Sequence, residues 1–489
     1  MIYLLAILFY LLLLTVIGLF KSRRVKTQAD FSIAGRTLSP WILVCTMLAV
    51  WIGTGSIVGN AGKAYEVGLA MVLVPLGSVF GMMCLTRIAG RARNYEVYSV
   101  PEIIGVRYGQ TARLLAVIAL VMAYMVIVSY QFNAGGMVLE VILTDDAGHS
   151  ILSAQTATII AAAFIITYTI LAGLMSIAYA DIVTGIIITV SLLIALPVLW
   201  LKAGGWHGIE TSFSAMDQRN HLQIWGVFST TELINFCLPT FLLILGDANL
   251  YQRFFASRNA KGAKIAATIM IVAILVIESL IIVEAWICSS MIPDAIHGKY
   301  VLIYAAKHFM PLALGTLFLV TVVGIIISTA DSFLLVPSTC VIRDVYLNYI
   351  NPNASEKKIV FFSRLLVLVF GLIAYLVSLA FAESVTVFEK SLYAFTIYGA
   401  AITPCLVAAF FWKRATPQGA IASILCGTVV TLIWSEADFV RQSLPTAVSE
   451  LDAVLPAITV SVLALFVGSL LTQNTHTSST IQGVVVIDK

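Results

Sequence analysis

The stretch LAVWIGTGSIVGN, Leu48–Asn60, decides how the chain is read. It is apolar enough for a membrane interior, yet Trp51, Gly53, Thr54, Gly55, Ser56 and Gly59 fall where a spanning helix should be plainest. In hydrocarbon every backbone carbonyl must be satisfied, so irregular backbone is tolerated only where it lines a polar cavity or holds a ligand. Unwinding at GTGS, Gly53–Ser56, would free the carbonyls of Ala49 to Ile52 at the C-terminal end of a half-helix, whose dipole favours a cation. The competing reading is a close-packing face built by Gly55 and Gly59.

Working outward, the whole chain is membrane-like. Of its 489 residues 60% are hydrophobic and 11% charged, and the mean hydropathy is +1.00, which no ordinary soluble domain matches. Apolar runs long enough to cross about 30 Å of hydrocarbon recur throughout. The expected spans are 2–20, 40–59, 68–88, 114–143, 151–172, 177–201, 229–249, 265–290, 312–338, 359–382, 388–411, 418–435 and 454–472, thirteen in all. Met1–Phe20 lacks a basic start and a small-residue cleavage site and is read as a span, not a signal peptide.

Alternate loops hold about 21 of the 28 basic residues, among them the loops around Arg36, Arg87–Arg113, Arg253–Lys264 and Arg343–Arg364. Basic residues gather on the cytoplasmic side, which puts the N-terminus outside and the C-terminus inside a plasma (cytoplasmic, inner) membrane. The net charge of +3 follows from this bias, and no basic stripe argues for nucleic acid. The seven cysteines fall in spans without metal-ligand spacing, and His149, His207, His221, His297, His308 and His476 fall in loops or the tail. That pattern disfavours an intramembrane metalloenzyme, and no enzyme activity is expected.

A second segment, IISTADSFLL, Ile326–Leu335, places Ser328 and Thr329 three and four residues after Ile325, near its carbonyl on one helix face. Two hydroxyls and that carbonyl are three hard oxygen ligands, and two carbonyls from the broken segment would make five. The alternative is back-bonding of both hydroxyls to their own helix. Five acids, Asp181, Asp247, Glu278, Glu284 and Asp331, fall in or near spans, where an ionised carboxylate costs several kcal/mol unless paired or hydrated. Interfacial placement is an alternative for Asp181 and Asp247, and Glu278 and Glu284 share no helix stripe and receive no role.

With FSIAGRTLSP, QFNAGG, YTILAGLMSIAYADIVTG, STADS and FFWKRATPQGA, the chain resembles the sodium:solute symporter family. One departure is Ala172-Gly173, where the family has Gly-Gly. The resemblance implies an all-α polytopic fold of the leucine-transporter type, an inverted five-helix repeat with about 13 transmembrane helices. The parts would be 1–38 (extra helix and cytoplasmic loop), 39–205 and 206–414 (the two repeats), 415–472 (two peripheral helices) and 473–489 (a short cytoplasmic tail).

It also implies Na+ as the coupling ion, held by the Ala49, Ile52 and Ile325 carbonyls and the Ser328 and Thr329 hydroxyls. Some members bind a second cation at positions corresponding to Asp181, Asp331 and Ser332. Within the family, AVWIGTGSIVGNAGKAY, the VPLG around Pro75 and TPCLVAAFFWKR look most like the choline-transporter-like branch. Trp51 would match a cage aromatic of that branch, but Ser78, about Ile127, and Asp247 stand where its other aromatics do. The sugar-transporting branch fits worse, because its polar contacts fall on Trp51, Ser56 and Pro75.

The implied function is Na+-coupled uptake of a small polar organic solute, an amine, an amino acid or a carboxylate, by alternating access, by a monomer in the lipid bilayer. The expected lining is Trp51, Gly53, Ser56, Ser78, Thr240, Asp247, Thr396 and Tyr398. Two alternatives stay open at this point: a proton-driven or uncoupled carrier on the same fold, and a transporter-like sensor.

Overall fold

The computed structural model describes residues 2–22, 25–144, 150–292, 298, 300–381, 385–443, 445, 449 and 451–473. The expected tail after Gln473, together with His149, His297 and His476, lies outside the described residues. The fold is all helical. Its helices are α1 (Ile2–Ser22), α2 (Pro40–Trp51), α3 (Ala61–Val67), α4 (Leu76–Asn94), α5 (Val100–Tyr108), α6 (Gln110–Leu143), α7 (Ala154–Leu171), α8 (Leu174–Lys202) and α9 (Gly205–Ala215). The second half adds α10 (Thr230–Gly246), α11 (Ala248–Ala256), α12 (Ala260–Ser289), α13 (Val301–His308), α14 (Leu312–Cys340), α15 (Glu356–Ala380), α16 (Val387–Phe411), α17 (Pro417–Glu436) and α18 (Val454–Thr472).

Among the described residues, eleven helices are long and apolar enough to cross a membrane, and the bent pair Pro40–Trp51 and Gly55–Leu73 makes a twelfth. Helix α4, with Arg87, Arg91 and Arg93 toward its end, is not among them, so the apolar spans number eleven or twelve against the thirteen expected. The helices sort by what surrounds them. α6, α14 and α16 are mostly buried inside the protein, whereas α1, α7, α15, α17 and α18 leave most of their apolar surface for lipid. Without water to satisfy the backbone, complete helices are the only spans such a bilayer admits, so a break must be supported from within.

Among the described residues, two spans are broken. The α2–α3 span is followed by α4, α6, α7 and α8, and the α10–α11 span by α12, α14, α15 and α16. Helix α2 starts with Pro40 at its first turn, where a missing N–H costs nothing, and ends at Ile52 (φ −75°, ψ 89°). The chain then passes through a wide π-type turn over Gly55–Asn60 and continues at an angle of 51°. Helix α10 begins in a capping box of Ser229 with Glu232, and ends at Asp247 (φ −57°, ψ 112°), which starts α11.

α2 lies against α8, α12 and α14, and α10 lies against α16 and α4. Trp51 and Gly53 of the first break and Asp247 of the second line one cavity.

Candidate cation and solute site

At the first break the oxygens converge. Ser328 Oγ donates to the Ala49 carbonyl at 2.7 Å and lies 3.3 Å from the Ile325 carbonyl, while Thr329 Oγ1 donates to the Val50 carbonyl at 3.4 Å. Both hydroxyls thus reach across to α2, 279 residues away in sequence, and Ser328 also keeps its own helix within reach. Ile52 is the residue at which α2 stops, its N–H donating to the Leu48 carbonyl and its carbonyl released by the break. Gly53 permits the approach: a Cβ there would meet Thr329 Cγ2 at 3.0 Å and Thr329 Oγ1 at 3.1 Å. This collects hydroxyls and C-terminal carbonyls, a donor set suited to a hard monovalent cation.

Beside it is an internal cavity whose lining includes Val50, Trp51, Gly53, Ser56, Ser78, Thr240, Asp247 and Thr329. Six of the eight residues expected to meet solute therefore share one cavity. Thr396 lies instead in a neighbouring vestibule with Phe236, Tyr393 and Trp434, which shares Phe388 and Leu392 with the central cavity. Tyr398 stands behind the wall. Its hydroxyl donates to the Gly246 carbonyl at 2.8 Å and accepts from the Ala248 N–H at 3.2 Å, bridging the second break.

Asp247 has a double position. It lines the cavity and caps α11, accepting at Oδ1 from the Tyr124 hydroxyl at 2.5 Å and from the Asn249 N–H at 3.1 Å. Tyr124 stacks on Tyr398 with centroids 5.4 Å apart. The carboxylate at a helix N-terminus is stabilised by the backbone dipoles as well as by these donors.

The lining also holds residues that sequence reasoning missed. Gln131 accepts a hydrogen bond from the Thr54 hydroxyl, and Tyr130, Phe333 and Ser391 complete other parts of the wall. Glu278, given no role above, accepts from Ser56 Oγ at 2.6 Å and from Asn60 Nδ2 at 3.0 Å. Its signal was present as an acid inside an apolar run, but its partners lie more than 200 residues away.

Asp181, Asp331 and Ser332 also come together, around a residue assigned above to a cytoplasmic loop. Arg253 is completely buried in α11, donating to Ser332 Oγ at 2.7 Å, with a guanidinium nitrogen 3.9 Å from Asp181. Thr46 donates to Asp181, and Ser332 Oγ lies 3.3 Å from Asp331 Oδ1. Arg253 is not a loop residue because two carboxylates and two hydroxyls inside the bundle compensate its charge.

A bundle of eleven or twelve candidate spans with two broken helices flanking an internal cavity defines a membrane transporter that moves a solute by alternating access. The chain belongs to the sodium:solute symporter family, whose sequence pattern matches residues 31–427. It is 24% identical over 489 residues to the high-affinity proline transporter PutP of Bacillus subtilis, covering 94% of this chain and 95% of that one. It is 25% identical over 482 residues to the osmoregulated proline transporter OpuE of the same organism, covering 95% and 94% respectively. The expectation of a choline-transporter-like branch is corrected by these relatives, which are proline transporters. In fold the chain is similar to a Na+-coupled sialic acid symporter solved in a substrate-bound outward-open state, with a TM-score of 0.81, 14% identity and 98% of each chain covered.

Proposed function

We propose that this protein couples Na+ entry to the uptake of a small amino acid of the proline type. Sodium is held by the carbonyls of Ala49, Ile52 and Ile325 and the hydroxyls of Ser328 and Thr329. The solute occupies the cavity bounded by Trp51, Gly53, Ser56, Ser78, Thr240 and Asp247. The observation that carries this reading is the junction at the first break: Val50, Gly53 and Thr329 line the solute cavity, and the oxygens of the cation set belong to the same residues or their neighbours. A sodium ion there ties α2 to α14 and fixes one wall of the cavity, so each ligand strengthens the other by the same factor.

The family and the proline-transporting relatives support the solute class. The loop charges support an external N-terminus and an internal C-terminus in the cytoplasmic membrane, with the vestibule at Thr396 facing outward. We assign the positive charge at Asp181, Asp331 and Ser332 to Arg253 rather than to a second sodium. The test is uptake into proteoliposomes of a panel of amino acids, amines and carboxylates. Accumulation of an amino acid under an inward Na+ gradient, absent under K+, is expected. Accumulation driven by a pH gradient without Na+ would replace this reading with a proton-driven carrier.

A further inference from the structure

We propose that Glu278 is the counter-charge for the solute, receiving the positively charged nitrogen of the transported molecule, and that it sets the specificity of the cavity for cationic or zwitterionic solutes over anions. This rests on the reading of the cavity as the solute site. Among the described residues the lining contains two carboxylates, Asp247 and Glu278, and no Lys, Arg or His. Both are buried. An uncompensated carboxylate in such a place is costly, so each needs donors or a cation.

Asp247 has its compensation built in: the Tyr124 hydroxyl, the Asn249 N–H and the N-terminal end of α11. Glu278 accepts from two neutral donors, one on each oxygen, Ser56 and Asn60, both from the turn after the first break, and the Trp51 indole N–H also lies close to it. A carboxylate has about four lone-pair sites, so acceptor capacity is left over on a wall of the cavity, and none of these donors carries a positive charge. A protonated amine supplies both the charge and the N–H donors that this leaves wanting. Trp51 lines the same cavity, and an aromatic ring beside a cation adds to its attraction.

The arrangement also links solute to sodium. Ser56 and Asn60 belong to the π-type turn directly after Gly53, so the carboxylate that receives the amine is oriented by the segment whose preceding carbonyls receive the cation. An anionic solute without a cationic group would bring a third negative charge into this cavity.

The test is solute binding to purified full-length protein in Na+, using L-proline, pyrrolidine and tetrahydrofuran-2-carboxylate, in which oxygen replaces the charged nitrogen of proline. Wild-type protein is expected to prefer L-proline over the oxygen analogue by at least about 30-fold, and Glu278→Gln is expected to lose most of that preference, as a double-mutant cycle reads it. Glu278→Asp should recover part of it. Equal preference in wild type and Glu278→Gln overturns the proposal. So does a loss in Glu278→Gln confined to Na+ affinity measured without solute, which would make Glu278 a sodium ligand. If Glu278→Gln does not fold, wild-type protein alone decides: comparable binding of L-proline and its oxygen analogue overturns the role. Binding of pyrrolidine without L-proline would sink the amino-acid reading while sustaining Glu278, whereas binding of the anion alone sinks both.

Discussion

The two broken helices solve the same problem in opposite ways. At the first break α2 ends in free carbonyls, and what meets them are hydroxyls of another helix, Ser328 and Thr329. At the second break the chain supplies its own answer. Asp247 caps α11, Tyr124 donates to the carboxylate, and the Tyr398 hydroxyl spans from the Gly246 carbonyl to the Ala248 N–H.

Both breaks have a glycine pressed against a neighbour, Gly53 on Thr329 and Gly246 on Thr403. The difference lies in what completes them. The second break is closed by permanent side chains and acts as a fixed wall. Hydroxyl hydrogens at the first break can turn away and leave their oxygens to a cation, and on the proposed reading its completion depends on that ligand. On the proposed reading, one sequence carries a rigid break and a switchable one.

Separating the two experimentally starts with the largest effect. Replacing Ser328 and Thr329 together by alanine removes two of the proposed ligands, and the Na+ affinity should fall on the order of 100-fold, about 2.8 kcal/mol. Stability in K+ should change far less, which a thermal denaturation series in both salts will show. Asp247→Ala is expected to do the reverse. It strips a cap and a charge-assisted hydrogen bond and should cost about 2–3 kcal/mol of stability in K+ and Na+ alike.

Gly53→Ala tests the close approach itself. Its Cβ would stand 3.0 Å from Thr329 Cγ2, so Thr329 must shift by a few tenths of an ångström. A loss of Na+ affinity of roughly tenfold with the fold retained is expected from sodium titrations. The smallest effect belongs to Tyr398→Phe, which removes one bridge across the second break and should lower stability by about 1 kcal/mol without altering sodium dependence. A sodium effect as large as that of Gly53→Ala would erase the distinction between the breaks.

Much of this architecture was legible in the sequence, for a physical reason. A spanning helix must be long and apolar whatever its neighbours are, so the runs declare themselves. Departures within them declared themselves too: GTGS at the first break and Ser328-Thr329 on α14 stand out because hydrocarbon penalises them. What could not be read is which polar groups compensate each other across the bundle.

Arg253 looks like a cytoplasmic loop residue until Asp181 and Ser332 are brought to it from α8 and α14. Glu278 has no meaning until α12 sets it against Ser56 and Asn60. Thr396 and Tyr398 show a different limit. They sit in the same span as the cavity-lining Phe395, but on other faces of α16, and sequence alone does not give the rotation of a helix that is buried on most sides.

The most direct test of the switchable break is reciprocal linkage in purified protein. The affinity for an amino acid solute is measured across Na+ concentrations at constant ionic strength, and the affinity for Na+ across solute concentrations, in wild type and in the Ser328→Ala, Thr329→Ala double variant. Equal factors in the two directions, abolished by the double variant and preserved in Tyr398→Phe, are the result this account predicts. Solute binding of equal strength in Na+ and K+, or linkage that survives loss of both hydroxyls, would contradict it.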